Sequence, residues 1–321
     1  MKKLWKVLMI AALLITMCAC GGGGEDTGTK KKTVGVIQLV QHDALDSATK
    51  GFCDALYEEF GEDGIDIIVN NASGDSATCS VIANGYVSDG VDLIMANATP
   101  SLLAAYNATS DIPILGTSIT EYSVALDLDN YNGTVGGNVS GTSDLAPLDE
   151  QAQMILDLFP DAKSVALLYC SGEPNSKYQV EVVEKYLVEK GVKVNRYAFT
   201  DSNDISSIAD SAAQENDVMY VPTDNTAAAN GDYIGSAAER ANIPVICGEL
   251  GTCQPCRGVA TLTIDYYELG YTTGKMAIKV LNGADISTMP IEYYAEPIKM
   301  YDKDLAEKFG VNVPSDYVVI E

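Results

Sequence analysis

The segment VGVIQLVQHDALDSATKGFCDALYEEFGEDGIDIIV, residues 34–69, holds the pattern that decides the fold. It opens on a short, nearly continuous apolar run from Val34 to Leu39 and passes into a helical repeat from about Leu45 to Phe60. It closes on a second apolar run from Ile65 to Val69. Strands that are apolar on both faces and alternate with amphipathic helices belong to a parallel sheet covered on both sides. The same rhythm continues outward. A helix is expected near Ala77 to Ser88, a strand from Asp92 to Ala96, a short helix from Thr99-Pro100 to about Ala108, and a strand from Pro113 to Leu115. After about residue 145 it restarts, with a helix to Leu158, a strand from Val165 to Tyr169 and a helix from Ser176 to Lys190. A strand from Val192 to Phe199, a helix from Ile205 to Ala213, a strand from Val218 to Val221, a helix from Thr226 to Ala241 and a strand from Pro244 to Cys247 complete the set.

Two such runs predict an α/β chain of two doubly wound, Rossmann-like lobes. The polar stretch from Asn138 to Asp144 reads as the segment crossing between them, and a last helix from Tyr267 to Leu281 stops at Asn282-Gly283. Sheets of this kind bind ligands beyond the carboxyl ends of their strands. With two lobes those ends face one another, which predicts a cleft that closes by hinge motion.

Composition narrows the function. The 321 residues carry 45 acidic and 20 basic side chains, a formal charge of -25, and 47% are hydrophobic. Phosphate binding needs a cationic surface, so nucleic acid is excluded as a partner. A single His leaves little room for His-rich metal sites or proton relays. No G-x-S-x-G elbow, phosphate loop or glycine-rich dinucleotide turn is present, so a secreted α/β enzyme finds no support and no cofactor is expected.

At the N-terminus Lys2, Lys3 and Lys6 precede an apolar run from Val7 to Ile15, a secretory-signal pattern too short for an ordinary membrane span. Met17-Cys18-Ala19-Cys20 resembles the lipobox of bacterial lipoproteins, which implies acylation of Cys20 with palmitate and a chain held outside the cell membrane by lipid. Gly21 to Gly24 and the polar residues after them suit a flexible tether. The expected organisation is a signal peptide over 1–19 and a lipidated linker over 20–32. A first lobe from 33–143 plus 265–290 and a second from 144–264 plus 291–321 follow.

Loops at the strand ends supply the candidate binding residues. Thr99 and Ser101 sit where a strand meets a helix N-terminus, whose free N–H groups suit a carboxylate; Thr99 capping its own helix satisfies the same pattern. Ser118 offers another hydroxyl on the same edge. In the second run Asn175 and Ser176 open one helix and Asp224 the next, and Asp265 ends a later strand. Asp224 and Asp265 are candidates for a ligand ammonium, and helix capping is the competing role for Asp224. Cys253-Gln-Pro-Cys256 is a lone CxxC near Cys247; a local disulfide or free thiols are expected rather than a metal.

Several segments resemble the ABC-type substrate-binding family that includes tryptophan- and tyrosine-binding lipoproteins. They are Val36-Ile-Gln-Leu-Val-Gln-His-Asp-Ala-Leu-Asp46, Val91-Asp-Leu-Ile-Met-Ala-Asn-Ala-Thr-Pro100, Gly137-Asn-Val-Ser-Gly-Thr-Ser-Asp144, Tyr220-Val-Pro-Thr-Asp-Asn-Thr226 and Ile264-Asp-Tyr-Tyr-Glu-Leu-Gly270. The resemblance implies the type I periplasmic-binding-protein architecture, with crossings near 142–145, 264–266 and 290–294, and a ligand handed to a permease and an ATPase on separate chains. Carried over by position, Thr99, Ser101 and Ser118 would serve a ligand carboxylate, and Asn175, Ser176, Asp224 and Asp265 its amino group. The implied protein is a monomeric binding component, not an enzyme, for an aromatic amino acid. Branched aliphatic amino acids, a purine-like ligand, or a sensor or adhesin role with the same cleft are the alternatives.

Overall fold

The computed structural model describes residues 31–294 and 296–320. The signal sequence, Cys20 and the tether therefore lie outside the described residues. Strands β1 (Lys32–Gln38), β2 (Ile65–Asn71), β3 (Leu93–Asn97), β4 (Ile114–Ile119), β5 (Val139–Ser143) and β11 (Glu292–Tyr293) form a first sheet in the order β11-β5-β4-β3-β1-β2, parallel throughout. The second sheet runs β13-β12-β10-β9-β8-β6-β7. It comprises β6 (Ser164–Cys170), β7 (Lys193–Phe199), β8 (Val218–Val221), β9 (Val245–Cys247), β10 (Ala260–Thr263), β12 (Ile298–Tyr301) and β13 (Val318–Val319). Only the pairing of β12 with β10 is antiparallel. Val34, Val36, Leu93 and Met95 pack on one face of the first sheet and Ile37, Ile94 and Ile114 on the other. The central strands β1, β3 and β4 thus bury both faces, whereas the edge strand β2 leaves Ile68 and Val69 exposed. The second sheet is buried likewise, by Val165, Leu167 and Tyr220 on one side and Ala166, Leu168 and Met219 on the other.

The helices of the first layer are α1 (Asp43–Phe60), α2 (Ser76–Asp89), α3 (Thr99–Ala108) and the short α4 (Tyr122–Ala125). Those of the second are α5 (Leu148–Leu158), α6 (Pro174–Glu189), α7 (Ile205–Glu215), α8 (Asn225–Ala229), α9 (Gly231–Ala241) and α10 (Leu250–Cys253). Helix α11 (Tyr266–Leu281) leaves the second sheet and packs back on α1 and the first, and α12 (Lys303–Phe309) lies between β12 and β13. Three passages link the sheets: β5 to α5, β10 to α11, and β11 to β12. No helix among the described residues is long and apolar enough to cross a membrane.

Two of the expected elements take a different form in the structure. The polar stretch around residues 138–144 contains a fully buried strand, β5. Its small hydroxyls find partners inside the protein: Thr142 Oγ1 lies 2.8 Å from Thr273 Oγ1 and 3.3 Å from Thr117 Oγ1, and Ser143 donates to the Thr120 carbonyl at 2.9 Å. Hydrogen-bonded Ser and Thr bury at little cost, and a hydropathy pattern does not register this. The helix expected over 226–241 is two, α8 and α9, broken at Asn230, whose φ of -128° is not helical. Edge strand β11 lies just past the lobe boundary expected at 290 and pairs with Thr142 and Ser143 of the first sheet.

Candidate ligand site between the two sheets

The loops after the strands of the two sheets meet around a small cavity. His42, Leu45, Ser118 and Thr120 line it from the first sheet's side, and Asn175, Thr223, Asp224, Asn225 and Glu249 from the second's. Asp144 and Tyr266, which stand on two of the passages between the sheets, close it. Its free volume is about 10 Å3, room for about one water molecule, so the surrounding side chains are drawn tightly together. Asn225 also lines a wider groove of about 270 Å3 bordered by Leu39, Ser73, Pro100, Gly172 and Thr200.

Asp144 follows β5 directly and is buried. The Tyr266 hydroxyl donates to its Oδ2 at 3.0 Å, while Oδ1 is buried without a partner. Burial pushes its carboxyl up to about 6, against the hydrogen bonds from Tyr266 and Thr120, with the Glu249 charge adding to the rise. Glu249 caps α10, accepting from Gly251 N and from the Thr252 hydroxyl. Burial raises its pKa as well, opposed chiefly by the charge of His42.

Asp224 is held differently. Its Oδ1 accepts from Ala227 N at 2.8 Å, capping α8, and its Oδ2 accepts from Cys170 N at 2.6 Å, tying β6 to β8. Burial again moves its pKa upward, and neighbouring Glu173 adds to the rise. Glu173 receives N–H donors from Asn225 at 3.1 Å and Thr226 at 2.9 Å, so two carboxylates gather the start of one short helix. Asn175 donates its amide to the Thr223 carbonyl at 3.1 Å, which leaves its Oδ1 as a buried acceptor without a partner. His42 reaches across with Nε2 3.3 Å from Asn225 Oδ1, and its Nδ1 is buried without a partner. The Ser118 hydroxyl is a further such group, on a residue with φ of +55°.

Of the residues expected from sequence, Ser118, Asn175 and Asp224 come together in this cavity. Ser176 lies just behind it, fully buried, with its hydroxyl against Asp224. Thr99 and Ser101 are not among the lining residues. Thr99 is the first residue of α3 and makes no capping bond, the N-cap being Ala98; the Ser101 hydroxyl lies 3.6 Å from Cys79 Sγ between α2 and α3. Asp265 is exposed, caps α11 by accepting from Glu268 N at 3.1 Å, and lines a separate groove with Tyr267 and Met300. His42, Thr120, Asp144 and Glu249 also line the cavity without having been singled out as ligand residues, and Tyr266 joins them. For Asp144 the available signal was an acidic residue ending a polar, Gly-containing segment between two sheets.

Three relatives place this architecture. A tyrosine-binding protein of Clostridioides difficile (strain R20291) is 36% identical over 302 residues, covering 90% of this chain and 87% of the relative. A crystal structure of an ABC domain from Streptococcus pneumonia in complex with L-Trp is 31% identical and superposes with a TM-score of 0.86, covering 90% of this chain and all of that one. The ligand-free, open structure of a substrate binding protein with adhesive properties from Clostridium difficile is 38% identical over the same share of each chain, with a TM-score of 0.68. The two parallel-sheet lobes are those of the type I periplasmic-binding-protein fold. Residues 33–320 match the model of a single family, and by that match this chain belongs to the ABC transporter substrate binding proteins.

Proposed function

We propose that this protein is the extracytoplasmic binding lipoprotein of an ABC importer, anchored through Cys20, and that it captures a free aromatic amino acid by closing two lobes around the cavity described above. One observation carries the reading. Among the described residues seven buried side-chain polar atoms have no partner, and four of them, His42 Nδ1, Ser118 Oγ, Asp144 Oδ1 and Asn175 Oδ1, line this one cavity. An unmet buried polar group costs about 1–3 kcal/mol, and a ligand that meets several at once recovers that cost. Two of the four atoms are acceptors, one of them on a carboxylate, and suit an ammonium. The Ser118 hydroxyl suits the carboxylate of the same zwitterion.

Closure is supported by the relatives. The less identical structure, solved with L-Trp, superposes better than the more identical one in its open form. An aromatic ligand is supported by the names of those relatives, the tyrosine-binding protein and the L-Trp complex. The expected lobe division and the carriage of ligand to a permease and ATPase belong to this proposal, as does the monomeric state. A second reading, a lipid-anchored adhesin or sensor, is favoured by the adhesive properties of the 38% identical relative.

A thermal-shift panel of the twenty amino acids tests the proposal. Tyrosine or tryptophan at a hundred times its Kd should stabilise the protein by about 2.7 kcal/mol. Folded protein that responds to none of the twenty removes the amino-acid reading.

A further inference from the structure

Three cysteines lie together immediately behind the cavity wall. Cys247 ends β9, Cys253 ends α10, and Cys256 follows in the next turn; all three are fully buried and carry free thiols. The Cys247 thiol faces those of both Cys253 and Cys256. Gly258 makes the room: its N–H bonds the Cys253 carbonyl at 2.8 Å, and a Cβ placed on it would stand 2.6 Å from Cys253 Sγ and 3.1 Å from Cys247 Sγ. Any larger residue at position 258 would fill the space into which both sulfurs point. No group of three or more metal-ligating side chains among the described residues is arranged to hold a metal ion.

The chain between Cys247 and Cys253 is the loop that presents Glu249 to the cavity. Its carbonyl at Gly248 is held from behind by Gln151 Nε2 at 2.9 Å, and Gln151 in turn accepts from the Tyr220 hydroxyl at 2.6 Å. We propose that Cys247 and Cys253 form a redox-sensitive disulfide that staples the two ends of the Glu249 loop, with Cys256 as the third thiol of the set. The reaction is the two-electron oxidation of two thiols by a peroxide. One sulfur attacks the O–O bond and becomes a sulfenic acid as a first water leaves. The second sulfur then displaces the hydroxyl as a second water, and the S–S bond forms. Burial holds the Cys247 thiol well above its ordinary pKa, so the reactive thiolate forms only when the loop opens to solvent. Closing a short loop constrains the unfolded chain and stabilises the folded one.

The test starts from fully reduced protein treated with hydrogen peroxide. Remaining thiols are blocked with iodoacetamide under denaturing conditions and the peptides mapped by mass spectrometry. We expect a Cys247–Cys253 linkage with Cys256 alkylated, a raised melting temperature, and reversal of both by dithiothreitol. In C256S the linkage should persist and in C247S it should be lost; the wild-type peptide map decides the pairing even where a variant folds poorly. Three alkylated cysteines after oxidation, or a linkage made mainly through Cys256, overturns the proposal. A linkage that leaves the melting temperature unchanged overturns its stapling role. Neither the peptide map nor the melting temperature depends on the function proposed above, so failure of either proposal is visible without the other.

Discussion

Asp144 and Asp224 are both buried aspartates of one cavity, and their hydrogen bonds separate their roles. Both oxygens of Asp224 are taken by backbone N–H groups that fix β6 and α8, whereas Asp144 keeps one oxygen toward the cavity. Asp144→Asn removes the charge but keeps an acceptor for the Tyr266 hydroxyl. It should weaken an ammonium ligand by ~2–5 kcal/mol in calorimetric titrations while leaving the ligand-free melting temperature unchanged or higher. The same residue sets a pH dependence. Its carboxyl is raised from 3.8 to about 6, so the folded protein holds a proton that the unfolded chain has released. The stability due to Asp144 is therefore fully present below pH 3.8 and falls as pH rises, by about 3 kcal/mol once the pH has passed 6. A ligand ammonium beside it favours the charged form, so the ligand-induced rise in melting temperature should grow from about pH 5 to neutrality. An equal ligand response at both ends of that range would remove Asp144 as the ammonium partner.

Helices α1 and α11 join the start of the chain to its return from the second sheet, and small residues let them touch. A Cβ on Gly270 would stand 1.9 Å from the Ala48 carbonyl oxygen, and one on Gly51 2.1 Å from that of Tyr267. No side-chain rearrangement relieves a clash with backbone. Gly270→Ala should therefore force the helices apart at a cost of about 1–3 kcal/mol, read from the denaturant midpoint. Because Tyr266 begins α11, the same substitution should also lower ligand affinity. The close approach was not legible in sequence: the pattern of residues identified both helices, but which glycines meet depends on how the two pack. The opposite failure occurred at β5. The composition of Val139-Ser-Gly-Thr-Ser143 suits a surface loop, and its burial depends on partners from other segments: Thr117, Thr120 and Thr273 for Thr142 and Ser143, and the Met289 carbonyl for Ser140.

The two sheets are connected by three passages, and the cavity sits where two of them cross. The Tyr266–Asp144 hydrogen bond joins the passage leaving β5 to the passage leaving β10, so a ligand held by Asp144 acts directly on the segments about which the lobes would turn. Small-angle scattering should then show a smaller radius of gyration when the ligand found in the thermal panel is added. Curves that do not change with a ligand shown to bind would exclude lobe closure.

The sequence by itself determined the α/β class, the two successive runs of strands and helices, and the strand ends at which Ser118, Asn175 and Asp224 meet. These features are local: they follow from apolar periodicity and from the fixed direction of a parallel strand into its helix. Tertiary structure alone decided which polar residues face one cavity. It turned Ser101 toward Cys79 and Asp265 toward solvent, and it brought His42, Asp144, Glu249 and Tyr266, distant along the chain, around one small cavity. A capping aspartate and a cavity-facing aspartate look alike in sequence, because what distinguishes them is whether backbone donors from elsewhere in the fold already occupy both oxygens.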